Sequence, residues 1–398
     1  MKILSLDGGG SWALLQALAL GEIYEQKTGH EILGKFDLVF ATSGGGLVLG
    51  GLLANKTPHE ILEFFLSEDN RNSIFSRKIS YEINKIVGMP KYKTVDKLEG
   101  IKGMLRKMHE GLEDRKLHEI YGLTNKIKLP DIVITSFDYD RQRAVYFRSN
   151  TTSLASGNPV PLERAQTPTV AEALHASSTA PVSYFDAPAE FYSSGFENRR
   201  FWDGGVTGMN NPVLAAVTEA LANQKTASDL SVLSIGTGSV MLLDPNEENA
   251  EADFLVCYPS SSCIEDVKKM AKSILDDPPD SASYIAYRII HGSDNDIKKC
   301  KLVRMSPLVR PIKNGSSWTI NEALKKDFNG VSKFVALTQL GMDATDQDDV
   351  ELIQEFGHLW MEDKIYNQLI QGKNGEVSTS LGHDFFSKAL SRWKELDQ

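Results

Sequence analysis

The chain has no run of 18 consecutive apolar residues, so the sequence predicts no membrane-spanning helix of ordinary length. It has only three cysteines, without a CxxC pair, and these predict free thiols in a reducing cytoplasm rather than a disulfide framework. The eight histidines form no HExxH motif, so neither a metal nor another cofactor is expected. Acidic residues outnumber basic ones by 53 to 43, and the net charge of −10 argues against a nucleic-acid polymer as partner.

The first two residues, Met1 and Lys2, lead directly into an apolar run, so no signal peptide is expected. At 398 residues the chain is long enough for one large domain or two ordinary ones. Hydrophobic residues make up 41% and charged residues 24%, which indicates a globular protein with a sizeable core. We therefore expect a cytoplasmic globular protein.

Strand patterns alternate with helical patterns along the first 240 residues. Short apolar runs predict buried strands at Ile3–Leu6, Phe36–Phe40 and Leu230–Ile235, and paired strands are predicted at Leu129–Ser136 and Ala144–Arg148. Helical spacing occurs at Trp12–Gln26, Gly44–Ala54, Val170–Ala176 and Asn211–Asn223. This alternation predicts an α/β sandwich with a mainly parallel sheet.

An acidic, polar stretch at Asp244–Asp253 is the candidate linker between two regions. It predicts a catalytic domain at residues 1–245 and a mostly helical C-terminal region at 246–398 that packs on that domain or caps it. In the second region helices are predicted at Ile264–Leu275, Ala282–Ile290, Asn329–Leu340, Asp348–Ile370 and Leu381–Leu396, and a strand only at Lys301–Met305.

A strand-to-helix turn at residues 41–45 (ATSGG) is the candidate position of a nucleophile. Ser43 stands in this turn, and its small neighbours permit the crowded backbone of a nucleophile elbow. The N–H of Gly44, at the start of the following helix, would point toward a developing oxyanion. Serine is a poor nucleophile unless a base lies within hydrogen-bond reach. Without such a base, the motif is an ordinary glycine-rich turn.

Three glycines, Gly8, Gly9 and Gly10, follow the first strand. Because they lack side chains, they can bring several backbone N–H groups to one point, as an oxyanion hole requires. The stretch also fits the GxGxxA dinucleotide pattern, but no acidic residue stands at the end of the next strand, where that pattern needs one. A kinase- or actin-like phosphate loop, with Gly236–Gly238 as its second loop, is another alternative, and it leaves Ser43 without a role.

Asp203 begins an Asp-Gly-Gly turn after two aromatic residues. Partial burial would raise the pKa of its carboxyl, and a hydroxyl partner would hold it in place as a general base. Alone, such a tripeptide is an ordinary turn. His175, the histidine nearest these motifs, is interpreted as structural. Together, the three motifs predict a serine acyl hydrolase that uses Asp203 rather than histidine as its base.

In their order and separation, these motifs resemble those of the patatin-like phospholipase family. The matching segments are Ile3–Gly10, Phe36–Gly51, Ala173–Pro181, Phe201–Pro212 and Leu233–Gly238. The resemblance implies a three-layer α/β/α sandwich and hydrolysis of fatty-acyl ester bonds of (phospho)lipids by a Ser–Asp dyad. It implies Ser43 as nucleophile, Asp203 as base, and Gly8, Gly9 and Gly10 as the oxyanion loop, with no metal or cofactor.

Two positions depart from the family pattern. Trp12 stands where the family usually has Arg or Lys, which leaves the headgroup preference open. Ala41 stands where the elbow usually begins with Gly. Neither change removes a catalytic atom.

Residues 246–398 lie outside the strong resemblance. Patatin-like proteins of this length and cytoplasmic character resemble bacterial anti-phage effectors that cyclic di- or trinucleotides activate. The resemblance therefore implies such an activator, membrane phospholipid as substrate, and action at the membrane surface. Candidate nucleotide contacts lie on one predicted helix, and the alternative is that they cap the sandwich; they are Tyr284, Tyr287, Arg288 and His291. A constitutive lipid acyl hydrolase and a non-catalytic binding protein with the same shell are the competing functions, and homo-oligomerisation is left open.

Overall fold

The structure is a computed structural model that describes residues 1–77, 90–150, 167–182, 184–191, 199–240, 266, 280–309, 312–314, 317–319, 327–328, 331–374 and 377–398. Eight strands in these residues form one mixed, mostly parallel sheet. They are β1 Lys2–Leu6, β2 Leu38–Ala41, β3 Asp131–Asp138, β4 Arg143–Arg148, β5 Ala189–Glu190, β6 Arg200–Asp203, β7 Ser231–Ile235 and β8 Leu302–Met305. Their order across the sheet is β5–β6–β3–β2–β1–β7–β8, with β4 paired to β3.

Twelve helices in the described residues lie before, between and after these strands along the chain. They are α1 Leu14–Tyr24, α2 Gly29–Leu33, α3 Ser43–Leu53, α4 Pro58–Leu66, α5 Glu68–Ile74, α6 Thr94–Met108, α7 Val170–Ser177, α8 Val213–Ala222, α9 at 280–291, α10 Lys333–Gln339, α11 Gln347–Met361 and α12 Phe386–Asp397. None of the described helices is both long and apolar enough to cross a bilayer.

The strands place alternate side chains in two separate cores, because successive residues of a strand face opposite sides of the sheet. On β1 and β2, Leu4, Leu6 and Val39 belong to the core that α1, α3 and α4 share. Ile3, Leu38 and Phe40 belong to the opposite core, which α8 and α9 complete. Helices therefore cover both faces of the sheet, and the predicted α/β fold with a mainly parallel sheet is confirmed.

Local signals in the sequence explain why the helices near the candidate motifs begin where they do. α7 begins with a capping box: the Thr169 hydroxyl accepts the Glu172 N–H at 3.2 Å, and the Glu172 carboxylate accepts the Thr169 N–H at 2.7 Å. The same arrangement of Thr57 and Glu60 starts α4, with Pro58 at its first position. These caps fix where the chain leaves each loop.

The ends of β2 and β6 meet along one edge of β3. The β3 residues Val133 and Ile134 pair with β2 on one side and β4 on the other, and Ser136 pairs with both β4 and β6. β6 therefore lies on the same edge as β2, beyond its end. β2 runs parallel to β3 and β6 antiparallel, so their carboxyl ends point toward each other. This topology brings residues 41–43 close to Asp203.

The C-terminal region contributes to the same sheet and core as the first 240 residues. β8 pairs in parallel with β7, with Leu302 opposite Val232. Phe356, Trp360 and Trp393 lie in the core that also contains the helices α1, α3 and α4. The boundary between 245 and 246 stays a prediction, since the linker Asp244–Asp253 lies outside the described residues.

Strands are more common in the C-terminal region than its sequence predicted. Besides β8, short strands pair at Ser239–Val240 with Leu308–Val309, Ile312–Asn314 with Ser317–Thr319, Asp327–Phe328 with Val331–Ser332, and Ile370–Asn374 with Val377–Leu381. The helix predicted to reach Ile370 ends at Met361, because Asp363 adopts a left-handed φ of 59° that a helix cannot continue through. The predicted helix Ile264–Leu275 lies outside the described residues, except for position 266.

We expect Trp393→Ala to lower the free energy of unfolding by about 3–5 kcal/mol, as loss of a buried aromatic side chain does. Trp393 is fully buried, stacks on Phe36 at 5.8 Å, and donates its Nε1–H to the Tyr24 hydroxyl at 3.0 Å. Urea unfolding measures the change, and Lys394→Ala, at an exposed position of the same helix, is the control. A loss below about 1 kcal/mol would contradict this packing.

Candidate active site

Ser43 stands at a strained elbow between β2 and α3. Its φ of 50° is left-handed, a region that a residue with a side chain rarely occupies. A Cβ added to Gly44 would lie 2.6 Å from the Gly10 carbonyl oxygen, and one added to Gly45 would lie 2.6 Å from that of Asp7. Only glycine therefore fits at both positions after Ser43 without a backbone shift.

A hydroxyl-rich segment, residues 177–179, contacts both candidate catalytic residues. The backbone N–H of Ser43 donates to the Ser177 hydroxyl at 2.9 Å. The backbone N–H of Asp203 donates to the Thr179 carbonyl at 2.8 Å. The segment begins at Ser177, the last residue of α7, so the end of that helix sets the distance between elbow and carboxylate.

Asp203 is buried at the end of β6, beside the serine. Its Oδ1 accepts the Gly205 N–H at 2.8 Å. Burial raises the pKa of its carboxyl, while the Ser43 hydroxyl, the Gly205 N–H and the Lys97 ammonium lower that pKa. The Ser43 hydroxyl thus lies close to the carboxyl, although no hydrogen bond of standard geometry reaches the buried Oδ2 among the described residues. In free enzymes such bonds are often long and tighten when substrate binds.

The glycine loop runs directly against the elbow. A Cβ on Gly8 would lie 3.1 Å from the Ser43 Cβ, and a Cβ on Gly44 would lie 2.8 Å from the Gly10 nitrogen. The Gly8 N–H donates to the Asn210 carbonyl at 2.8 Å, so it is not available to an oxyanion in this structure. Within the described residues no hydrogen bond involves the N–H of Gly9, Gly10 or Gly44. These three groups are the candidate oxyanion donors.

A small pocket opens beside Ser43. Its lining includes Gly10, Gly44, Leu47, Phe75, Tyr184 and Phe185. The apolar side chains suit an acyl chain, and the glycines lie at the serine end. The cavity volume is about 20 Å³, which is room for roughly one water molecule. A long acyl chain would need part of the lining to move.

Lys97 is a member of this site that the sequence analysis missed. Its side chain lines the pocket and is 1% exposed. His175 is also buried, and burial, followed by the nearby Lys97 charge, lowers its pKa well below the usual value, so it stays neutral. This agrees with the structural interpretation of His175.

A buried ion pair joins the glycine loop to the C-terminal region. Arg304 on β8 donates from Nη2 to the Asp7 carboxylate at 2.5 Å and from Nη1 to the Ser234 hydroxyl at 2.8 Å. Burial raises the pKa of Asp7 to about 6, although Arg304 acts in the opposite direction. Asp7 immediately precedes Gly8, so this pair fixes the start of the loop.

The C-terminal segment 341–346 lies on the same loop. The Met342 carbonyl accepts the Ser11 N–H at 2.8 Å, and the Gly341 carbonyl accepts Nε1–H of Trp12 at 3.1 Å. Met342 also lines the pocket beside Ser43. Trp12, which replaces the basic residue usual in the family, therefore holds this segment against the glycine loop.

A second set of contacts holds segment 341–346 from the other side. The Asp343 carboxylate accepts from the Lys91 ammonium and from the Tyr92 hydroxyl, each at 2.7 Å. Arg71 donates to the Thr345 carbonyl at 3.0 Å. Contacts of the residues before and after Met342 thus hold the segment in place.

The proposed nucleotide contacts on α9 are engaged with one another. Tyr287 is buried and its ring stacks on His291 at 4.0 Å. The Arg288 guanidinium lies 5.2 Å from the Tyr284 ring. Tyr287 belongs to the core that α8 and α9 complete, which is the packing that the capping alternative predicts for it.

The structure therefore brings Ser43, Asp203 and the glycine loop together, as their motifs predicted. It adds Lys97, Arg304 and segment 341–346, which no motif indicated. The segment 177–179 carried a signal in the sequence, because it is a run of three hydroxyl residues that ends two positions before Pro181. No comparable signal marked Lys97.

Comparison with known proteins gives one family and eleven matching chains of solved structures. Residues 4–217, more than half of the chain, match the profile of the family described as patatin-like phospholipase. No curated protein matches the chain. The crystal structure of VipD from Legionella pneumophila aligns with a TM-score of 0.38 and 8% sequence identity, over 90% of this chain and 66% of that chain.

We expect Arg304→Met to lower the free energy of unfolding by about 3–5 kcal/mol at pH 8, because it leaves the ionised Asp7 buried without its partner. The loss should shrink toward pH 5. The folded pKa of Asp7 already lies above its unfolded value and rises further without Arg304, so Asp7 takes up a proton and the buried charge disappears.

Denaturant unfolding at the two pH values measures this effect. Arg143→Met, at an exposed position, is the control and should change stability by less than about 0.5 kcal/mol. An Arg304→Met loss that is equal at both pH values would contradict the assigned ionisation of Asp7.

Proposed function

The chain belongs to the patatin-like phospholipase family, and from this premise we propose that it hydrolyses fatty-acyl ester bonds of phospholipids through Ser43 and Asp203. Family membership supports lipid acyl hydrolysis in general. The observation that carries the dyad is the buried Asp203 Oδ2, which has no partner in the described residues and belongs to a carboxyl whose pKa the Ser43 hydroxyl lowers.

In this mechanism Asp203 removes the hydroxyl proton as Ser43 Oγ attacks the ester carbonyl carbon. The oxyanion that forms accepts hydrogen bonds from the N–H groups of Gly9, Gly10 and Gly44, and helix α3 contributes its positive end. When the tetrahedral intermediate collapses, the C–O bond to the lysolipid breaks and Asp203 returns the proton to that oxygen. Water activated by Asp203 then cleaves the acyl-enzyme and releases the fatty acid.

The pH dependence follows from the environment of Asp203. The carboxyl must be ionised to accept a proton, and burial raises its pKa. Activity should therefore fall as the pH falls through that raised pKa, with no histidine needed on the acid side.

We also propose that the enzyme acts at a membrane surface and is held in a low-activity state until a cyclic di- or trinucleotide binds. The support for the low-activity state is segment 341–346, because Met342 lines the small pocket beside Ser43 and contacts the glycine loop. A ligand that binds better to a state with this segment displaced would raise activity. The identity of the ligand rests on resemblance alone.

We expect Ser43→Ala and Asp203→Asn each to lower kcat/KM for fatty-acid release by about a thousandfold or more, the scale on which loss of a nucleophile or base acts. Release from mixed phospholipid vesicles measures this, with circular dichroism to verify the fold. Ser73→Ala, an exposed serine outside the pocket, should behave like wild type. Substantial hydrolysis by either dyad variant would rule the mechanism out.

We expect Asp343→Asn to raise fatty-acid release several-fold in the absence of any nucleotide, because it weakens two hydrogen bonds that hold segment 341–346. Asp346→Asn is the matched control, since Asp346 lies on the same segment with a largely exposed carboxylate.

The same vesicle assay with a panel of cyclic di- and trinucleotides tests the activator. Wild type should respond to one nucleotide, and Asp343→Asn should respond less because it is already partly open. A high wild-type rate that no nucleotide changes would identify a constitutive hydrolase instead.

A further inference from the structure

We propose that Lys97 is a positioning residue of the Ser43–Asp203 pair, whose ammonium clamps the segment 177–179 and places a positive charge beside Asp203. The inference rests on the dyad proposed above. The catalytic mechanism described above does not use Lys97, and this residue stands in none of the sequence motifs.

Lys97 is almost completely buried, which is unusual for a lysine. It lies in the first turn of α6 with 1% of its surface exposed, whereas Lys102 on the same helix reaches solvent and pairs with Glu99. A lysine buried in this way loses the hydration of its charge, and that loss destabilises the fold unless partners replace it.

The partners of the Lys97 ammonium lie on the catalytic side of the helix. Nζ donates to the Ser178 carbonyl and to the Thr179 hydroxyl, the latter at 3.2 Å. It also lies 4.2 Å from the centre of the Phe185 ring, where a cation is attracted to the face of the aromatic system. Two hydrogen bonds and one aromatic ring thus hold the ammonium in the lining of the pocket.

The segment that Lys97 holds is the one that holds both catalytic residues. Ser177 accepts the Ser43 N–H, and the Thr179 carbonyl accepts the Asp203 N–H. Ser178, between them, is bound by Lys97. The ammonium thus fixes the middle of a three-residue bridge between nucleophile and base, where small displacements have large effects on rate.

The charge of Lys97 acts on Asp203 directly. The groups that act on the carboxyl are the Ser43 hydroxyl from α3, the Gly205 N–H from its own turn, and Lys97 from α6. Of these only Lys97 can carry a positive charge. Burial lowers the pKa of its ammonium well below the usual value, and the Asp203 carboxylate acts in the opposite direction and favours the charged form. Burial favours the protonated, inactive form of Asp203, and the ammonium favours the ionised form that can accept the serine proton.

The test uses Lys97→Met and Lys97→Gln, assayed with a water-soluble short-chain nitrophenyl ester from about pH 5 to pH 9. Gln keeps an N–H donor near the position of the ammonium but carries no charge. We expect both variants to lower kcat roughly tenfold or more near pH 6, on the scale of general-base catalysis, with KM changed less than kcat. The acid limb of the kcat/KM profile should move to higher pH, and Lys97→Arg should return it toward the wild-type position.

Two controls separate this role from a general loss of structure. Lys102→Met, on the same helix, should keep the wild-type rate and profile. Thermal unfolding shows whether each Lys97 variant is folded, and the Gln and Arg variants remain informative if Met does not fold. A folded Lys97→Gln with a reduced rate but an unmoved acid limb would overturn the proposal, because a purely structural role predicts that result.

The dyad variants distinguish failure of this inference from failure of the proposed mechanism. If Asp203→Asn retains hydrolysis of the ester, the dyad is wrong and the role of Lys97 falls with it. If Ser43→Ala and Asp203→Asn are inactive and the acid limb of Lys97→Gln is unchanged, the dyad stands and only the role of Lys97 is overturned.

Discussion

The candidate site depends on one edge of β3, along which β2 and β6 lie end to end. Because their carboxyl ends point toward each other, the elbow after β2 and the carboxylate at the end of β6 meet without any long excursion of the chain. The hydroxyl-rich segment 177–179 then closes this junction, since it binds the backbone of Ser43 at one end and of Asp203 at the other. The geometry of the pair is therefore a property of the sheet and of α7.

Much of this site was readable from the sequence because its signals are local. Three glycines after a strand, a serine between small residues and an aspartate before two glycines each describe a backbone shape that few other residue types permit. The parts of the site that could not be predicted from the sequence depend on long-range contacts. Arg304 pairs with Asp7 across 297 positions, and nothing near either residue indicates the other. The lysine pattern of α6 likewise does not show which lysine faces inward.

The strands of the C-terminal region were missed for a related reason. Two-residue strands such as Leu308–Val309 form because a partner strand lies beside them. They are too short to show the alternating hydrophobic pattern from which a strand is predicted. Helix α11 was predicted too long because apolar residues continue after it, and the turn at Asp363 is set by a backbone conformation rather than by composition. Tertiary context overrides local propensity at both places.

The glycine loop is held at both of its ends by the C-terminal region. Its N-terminal end is fixed by the Asp7–Arg304 pair, and its C-terminal end is held by Met342 and Gly341. Both contacts come from the C-terminal region, so the loop that would bind the oxyanion is held partly from outside the residues that match the family, while the Asn210 carbonyl holds the Gly8 N–H from within them. A displacement of β8 or of segment 341–346 would move the oxyanion donors relative to Ser43. Under the proposed mechanism, such a displacement changes the rate of hydrolysis, because the oxyanion donors lose their alignment with the serine.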